Sequence, residues 1–287
     1  MYDNLRRFRA IRNALEKLFP EGVSGNLSRR LTTMCWLISG IVGSKSSNLN
    51  AIASKKVDDT KDESRIDRLR RWLKNEHIEY EVYYLPFCAD LLSVFANRVQ
   101  RIAIDGSVVG RGCMCLMMSL LYANRALPLV WLVVKQPKGH MDEAMHLQLL
   151  QELKQIMPEH SQVVLLGDGE LDGTEWQAAI ETLGWEYVMR TAKNSILIEQ
   201  GEEFTFKHIS VPTDGDWFSI PEAQFTRKAY GPIHALVWWE RKYKEPVYLV
   251  TNLELAYEAC QYYKSRYHIE TFFSDQKSRG FNQKSNG

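Results

Sequence analysis

Apolar residues recur every three or four positions over residues 4–19, where Leu5, Phe8, Ile11, Leu15 and Leu18 share one face of a helix that Pro20 and Gly22 end. Asn26 or Ser28 can cap a second helix through LTTMCWLISGIVG, and Ser46 to Ile52 reads as a short helix after a turn. Residues 62–75 form a strongly basic helix with Ile66, Leu69 and Leu73 turned inward. The period changes near residue 97. Strands are predicted over Arg101 to Asp105, Cys113 to Tyr122 and Pro128 to Lys135. A helix over Asp142 to Ile156, a strand over Gln162 to Leu166, a helix over Thr174 to Leu183 and a strand over Glu186 to Thr191 follow. Three closely connected strands and then alternating helix and strand describe an α/β domain with a mixed sheet. Residues 194–250 break the alternation, because FTFKHISV, HALVWWE and PVYLV, separated by Gly, Pro and Asp, read as a β-rich insertion. A last helix is expected from Leu253 to about Arg279. The chain thus divides into a helical region over residues 1–95, a core begun over 96–193, the insertion over 194–250 and a closing core helix within 251–287.

Composition narrows the class. With 45% apolar and 25% charged residues among 287, disordered, collagen-like and coiled-coil readings are excluded. Five scattered cysteines without a CxxC suggest neither a disulfide framework nor a zinc ribbon, which favours a reducing cytoplasm. The N-terminus interleaves arginines with apolar residues instead of offering a signal peptide's apolar stretch. The longest apolar runs fall short of the roughly 20 residues that span a bilayer, so no membrane association is expected.

The near-neutral total hides an asymmetry. Residues 1–80 carry 16 Lys and Arg against 10 Asp and Glu, a surplus of +6, while the remainder carries 20 against 25. A basic helical segment ahead of an acidic α/β portion suits a nucleic-acid-binding region joined to a catalytic one. Arg65, Arg68, Arg70, Arg71 and Lys74 stud the helix over 62–75, within a plausible helix-turn-helix type of reader.

Asp105 follows the apolar run RIAI, and Asp168 follows VVLLG, so both are expected at the carboxyl ends of strands, where functional groups of α/β sheets gather. Asp168, Glu170, Asp172 and Gly173 resemble the start of a calcium loop, but Ala179 stands where its bidentate Glu belongs. On the last helix, Tyr263, Arg266, Glu270 and Lys277 fall at offsets of 0, 3, 7 and 14. At about 100° per residue they share a stripe roughly 60° wide. Tyr262, Ile269 and Phe273 form an adjacent apolar stripe. An exposed face with an Arg266–Glu270 ion pair is the ordinary explanation of such a pattern.

YKSRYHIETFFSDQK nevertheless fits Y-x2-R-x3-E-x6-K at every position, and it resembles the signature of DDE-type insertion-sequence transposases of the cut-and-paste group. The resemblance implies a ribonuclease H-like catalytic core with a β-rich insertion, preceded by a small all-α DNA-binding region. It implies that Asp105 in IAIDGS, Asp168 in LLGDGE and Glu270 are catalytic carboxylates that hold two Mg²⁺ ions, with Mn²⁺ able to take their place. The implied reaction is strand cleavage at the ends of a mobile element, then attack by the liberated 3′-hydroxyl on the opposite strand, giving a hairpin, and on target DNA. Tyr263, Arg266 and Lys277 would hold phosphates near a flipped terminal nucleotide.

Arg190 and Lys193 close the strand after the Asp168 helix and are candidates to track the same DNA, with Arg68, Arg70 and Arg71 from the basic helix. Relatives often place a Trp before the final helix to stack on the flipped base; here the stretch reads Pro246, Val247, Tyr248, which makes Tyr248 the substitute. Implied partners are double-stranded DNA, the element's terminal inverted repeats and target DNA, with a homodimer forming on DNA in a prokaryotic, nucleoid-associated setting. The chain stops ten residues after Lys277, where relatives continue with further helices, so a C-terminally truncated core is expected. That expectation keeps open a truncated, non-catalytic DNA-binding inhibitor of transposition. A ribonuclease H-like nuclease unrelated to transposition fits less well, since simple hydrolysis does not call for the Tyr-Arg-Glu-Lys face.

Overall fold

A computed structural model describes residues 2–56, 60–136, 141–211, 217–240 and 243–278. The chain forms two compact units, one running up to Val94 and taking in the end of the last helix from Ser274, the other spanning Phe95–Phe273.

The first unit is helical: α1 (Tyr2–Glu16), α2 (Gly25–Ser44), α3 (Leu49–Ala53), α4 (Asp62–Leu73), α5 (Tyr80–Tyr83) and α6 (Leu85–Val94). The last two carry no strong apolar period and are not predicted from the pattern. Helix α2 begins after Ser24, not at Asn26 or Ser28. Ser28 instead accepts hydrogen bonds from Arg12, at its hydroxyl and its carbonyl, both at 3.0 Å. Asn48 caps α3, its side chain accepting from the Asn50 and Ala51 amides. A small core of Ile52, Ala53 and Leu69, flanked by Leu37, Ile41, Leu49 and Ile66, holds α2, α3 and α4 together. Leu73, expected inward, is 54% exposed. That core sits against the earlier turns of α4, and the last turn is anchored by Trp72, whose indole N–H donates to the Arg30 carbonyl at 2.9 Å.

The second unit is built on one ten-stranded mixed sheet in the order β3-β2-β1-β4-β5-β10-β9-β8-β6-β7. Its strands are β1 (Gln100–Gly110), β2 (Cys113–Tyr122), β3 (Arg125–Lys135), β4 (Val163–Gly167), β5 (Glu186–Thr191), β6 (Ile196–Glu199), β7 (Glu202–Thr205), β8 (Trp217–Phe225), β9 (Tyr230–Trp238) and β10 (Val247–Thr251). β1, β4 and β5 are parallel, and every other pairing is antiparallel. The β-rich stretch continues the same sheet, because β10 pairs directly with β5. Trp217 opens β8 at 43% exposure, whereas Trp238 at the end of β9 is buried.

Helices α7 (Glu143–Ile156) and α8 (Thr174–Thr182) pack together, α7 against β2 and β3 and α8 against β5, while α9 (Ala256–Ser265) packs on β5 and β9. Every residue of β4 is buried, as expected of a parallel strand covered on both faces. One face presents Ala103, Val164, Leu166, Val188 and Leu249 to Ala259, Cys260, Ile269 and Phe273 of the last two helices.

The expected single closing helix is two, α9 and α10 (Tyr267–Ser278), separated at Arg266. There the Arg266 amide donates to the Tyr263 carbonyl and the Ile269 amide to the Arg266 carbonyl, three-residue bonds that tighten the turn. Arg279 and the tail beyond it lie outside the described residues.

Gly167, the last residue of β4, has no room for a side chain: a Cβ there would lie 2.6 Å from Met189 Sδ and 2.8 Å from Leu171 Cδ1. Gly167→Ala is expected to lower stability by about 1–3 kcal/mol, the usual penalty of overpacking a close contact. Urea denaturation of the two proteins checks this; an unchanged midpoint would show that Met189 and Leu171 yield freely.

Candidate active site

The parallel register aligns the candidates. Ala103 pairs with Leu166, and Leu166 with Val188, so the three stand abreast on β1, β4 and β5. Two residues further along each strand come Asp105, Asp168 and Arg190. Strand alternation returns side chains to the same face every second residue, and neighbouring strands lie about 4.8 Å apart. Asp105 and Arg190 therefore rise on the face covered by α9 and α10, and Asp168 leaves β4 beside them.

Asp105 does not end its strand, as the sequence suggested. β1 runs on to Gly110, because its partner β2 keeps pairing through that stretch after the ladder to β4 has stopped at Ala103. Asp105 thus sits where β1 leaves its parallel neighbour, and its Oδ1 accepts from the Gly106 amide at 2.8 Å. Asp168 begins a turn: its side chain accepts from the Glu170 amide and its carbonyl from that of Leu171.

The helical face arrives through Arg266. This residue is only 8% exposed. Its Nη1 lies 3.7 Å from Asp105 Oδ2 and its Nη2 donates to Glu270 Oε1, so one guanidinium spans the two carboxylates. The Tyr263 ring centroid stands 5.8 Å from the same guanidinium. Burial works against the charge of Arg266, but Tyr263, Glu270, Asp105 and Asp168 outweigh it and hold its pKa above the ordinary value. Burial likewise raises the Tyr263 phenol, with Arg266 and Arg190 pulling it down. For Asp105, burial pushes the carboxyl up to about 6, against the pull of Arg266 and with help from the charges of Asp168 and Glu270.

Beside this cluster lies a cavity of about 540 Å³, lined among others by Arg190, Tyr243, Tyr263, Arg266, Tyr267 and Glu270. A larger one, of about 790 Å³, opens at the amino ends of β4 and β5, lined by Gln162, Val163, Trp185 and Glu186. The site is assigned to the smaller cavity, because it shares Arg266 and Glu270 with the carboxylate cluster and lies toward the carboxyl ends of the parallel strands.

Other candidates lie elsewhere. Tyr248 is a correction: Val247 and Leu249 belong to the face under α9 and α10, so Tyr248 points the other way, its ring 5.6 Å from Phe206. Tyr243 and Tyr267, which the sequence reading passed over, face the cavity instead. Tyr243 lies only five residues before Tyr248, but no periodicity flags it outside a strand. Lys193 lies in the turn after β5, its Nζ 4.0 Å from Glu245. Lys277 lies in the last turn of α10, two turns beyond Glu270. Arg68, Arg70 and Arg71 are on α4 in the helical unit.

Three carboxylates from separate elements are hard oxygen donors of the kind Mg²⁺ takes, and the Asp105 carboxyl is raised chiefly by its burial, with Asp168 and Glu270 adding to it. Side chains here are gathered about the guanidinium, and among the described residues no three His, Cys, Asp or Glu groups stand ready-made as a metal cluster. The donor chemistry fits the ion, and Arg266 occupies the ground between Asp105 and Glu270.

Residues 100–286, from β1 through α10, match the family model described as Transposase DDE domain. The chain belongs to that family. No curated protein matches the transposase. Among solved structures, the cryo-EM structure of the piggyBac transposase synaptic complex with hairpin DNA superposes with a TM-score of 0.52 at 11% identity, covering 96% of this chain and 68% of that one. The crystal structure of human ENDOV has a TM-score of 0.32 at 16% identity, covering 57% of this chain and 74% of that one. The first likeness speaks for the fold, a ribonuclease H-like mixed sheet flanked by helices. No described helix is long and apolar enough to cross a membrane.

A carboxyl that titrates near 6 when folded, against an ordinary 3.8, binds its proton more tightly in the folded state. Stability therefore falls as pH rises between about 4 and 6, and the penalty is complete above that window. At about 1.4 kcal/mol per unit it amounts to at most about 3 kcal/mol. With a chelator present, Asp105→Asn is expected to stabilise the transposase by about 1–3 kcal/mol at pH 7.5, with the gain vanishing toward pH 4. Denaturation across that range checks it; a loss of stability independent of pH would contradict the assignment.

Proposed function

We propose that this transposase catalyses divalent-metal-dependent cleavage and strand transfer of DNA at the ends of a mobile element. The observation that carries the proposal is Arg266, which joins the signature helix at Glu270 to Asp105 on the central strand. In this reading Asp105, Asp168 and Glu270 hold the metal, the helical region of residues 1–95 binds the element's inverted repeats, and the core of residues 96–193 and 251–287 works with the insertion over 194–250. Two copies would act together on paired ends.

Each step is an in-line displacement at phosphorus. Water, and later the freed 3′-hydroxyl, forms a P–O bond as the bond to the leaving oxygen breaks. Mg²⁺, or Mn²⁺ in its place, would be held by Asp105, Asp168 and Glu270 and would supply Lewis acidity to the displacement. Asp105, Asp168 and Glu270 act as its oxygen donors, and above about pH 6 Asp105 carries no proton to hinder that. Arg266 exchanges its carboxylate partners for a phosphate, which a guanidinium can grip with two parallel hydrogen bonds. The Tyr263 ring keeps the guanidinium in place, Arg190 in the same cavity wall adds a second cation, and Lys277 on the signature helix is a further phosphate contact. A terminal nucleotide turned out of the duplex finds aromatic walls at Tyr243 and Tyr267 rather than at Tyr248.

Glu270→Gln is expected to abolish strand cleavage while leaving DNA binding nearly intact, since Gln keeps the size of Glu but not its charge. Arg266→Ala is expected to impair hairpin formation and strand transfer more than the first nick. A Mg²⁺-dependent assay on DNA carrying the element's ends, scoring nicked, hairpin and transferred products separately, tests both. An active Glu270→Gln protein would overturn the ligand assignment, and a wild type that binds DNA but never nicks it would favour the non-catalytic inhibitor.

Stacking is testable by 2-aminopurine at the terminal position. Its quenching is expected to be lost in Tyr243→Ala and kept in Tyr248→Ala. The opposite pattern would return the stacking role to Tyr248.

A further inference from the structure

The arginines of the helical unit are not equivalent. On α4, Arg65 is paired with Asp62 at 2.9 Å and Arg70 with Asp67 at 3.3 Å, so both carry their counter-ion with them. Arg68 and Arg71 instead line a cavity of about 340 Å³ together with Arg29 and Arg30 of α2 and with Trp72, and among the described residues no carboxylate lines it. The two helices are fixed to each other there. Trp72 Nε1 donates to the Arg30 carbonyl at 2.9 Å, and Arg68 Nε donates to Thr33 Oγ1 at 3.1 Å. Arg71 Nε reaches only a backbone carbonyl, that of Asp67, at 3.4 Å, so its charge is not neutralised by that bond. Four guanidinium groups around one concavity repel each other, an arrangement relieved by an anion with several charges.

The neutral side-chain oxygens in the same wall are already engaged. Thr33 donates to the Arg29 carbonyl at 3.1 Å as it accepts from Arg68, and Asn75 Oδ1 accepts from the His77 amide at 3.1 Å. Arginine forks suit phosphate oxygens and, among base edges, guanine alone, and the neutral acceptors that would help tell the other bases apart are occupied here. We propose that this α2–α4 cleft grips the sugar-phosphate backbone of duplex DNA through Arg29, Arg30, Arg68 and Arg71, without reading base sequence, and that Arg65 and Arg70 take no part. The inference rests on the reading that the protein acts on DNA, and it replaces Arg70 by Arg29 and Arg30 among the contacts expected from the sequence.

The test measures binding of the full-length protein to a duplex of arbitrary sequence by fluorescence anisotropy across a salt series. Each phosphate contact contributes about 0.9 to the slope of log affinity against log salt. Arg29→Gln with Arg71→Gln is expected to flatten the slope by about 2 and to weaken binding equally for unrelated sequences, while Arg65→Gln with Arg70→Gln changes it by less than about 1. Arg29→Lys with Arg71→Lys is expected to keep the slope, which separates lost charge from lost folding. An Arg29/Arg71 Gln pair with the wild-type slope, or an Arg65/Arg70 pair that flattens it as much, overturns the cleft. A wild type whose binding ignores salt overturns the DNA-binding reading beneath it. Complete displacement of the duplex by inorganic phosphate at constant ionic strength would mark a single-anion site and also overturn the proposal.

Discussion

Ala103, Leu166 and Val188 stand abreast on three parallel strands, and that register decides what can meet two residues further on. A slip of one residue in β1 would turn Asp105 to the opposite face, because side chains alternate with every residue. Nothing acidic sets the register. Val163 to Leu166 are buried on both sides of the sheet, and the hydrophobic contacts of Ile102, Ala103 and Ile104 leave β1 one way to lie beside them. The polar positions inherit their alignment from the apolar ones, so a mutation in β4 can displace Asp168 without touching it. Gly167 marks how little freedom is left at that point, with Met189 and Leu171 closing on it from two sides.

The same alignment creates an electrostatic problem that the fold only partly solves. Asp105 is held where water is scarce and where Asp168 and Glu270 add charge of its own sign. Arg266 is the compensating cation, buried nearly completely and placed between Asp105 and Glu270. Desolvating a guanidinium is costly unless its partners are good, and here one of its nitrogens, Nη1, makes no hydrogen bond. The arrangement is therefore not one that maximises stability. It leaves Asp105 too easily protonated and Arg266 under-bonded, and a divalent cation with a phosphate would relieve both at once.

Much of this was legible in the chain, and the failures have physical causes. The strands and helices of the α/β unit follow from period-2 and period-3.6 patterns, and RIAID and LLGD point to the two aspartates. The length of β1 was not legible, because its continuation to Gly110 depends on β2 as a partner and the segment itself carries only a weak apolar pattern. Spacing alone turns Leu73 inward, but the helical unit has too small a core to reach the end of α4. Place along the chain favours Tyr248, but the strand's alternation turns it away. The basic helix read as five similar charges, since nothing in the spacing distinguishes an arginine with a neighbouring Asp partner from one facing another helix.

The break at Arg266 connects packing to chemistry. On a straight helix at about 100° per residue, Cys260 and Ile269 would point in opposite directions, nine residues and two and a half turns apart. Both are nonetheless buried against the same sheet face, Cys260 from α9 and Ile269 from α10. The tightened turn at Arg266 separates the two helices, which lets each seat its own apolar side. Arg266 is the residue at the joint, so its backbone conformation and the direction of its side chain are fixed by the packing of Cys260 on one side and of Ile269 and Phe273 on the other. Tyr263 precedes the joint and Glu270 follows it, and the guanidinium between them is the contact that both helices share. A signature read as four residues along one helical stripe is thus a junction, in which the arginine's position depends on the hydrophobic residues flanking it in sequence.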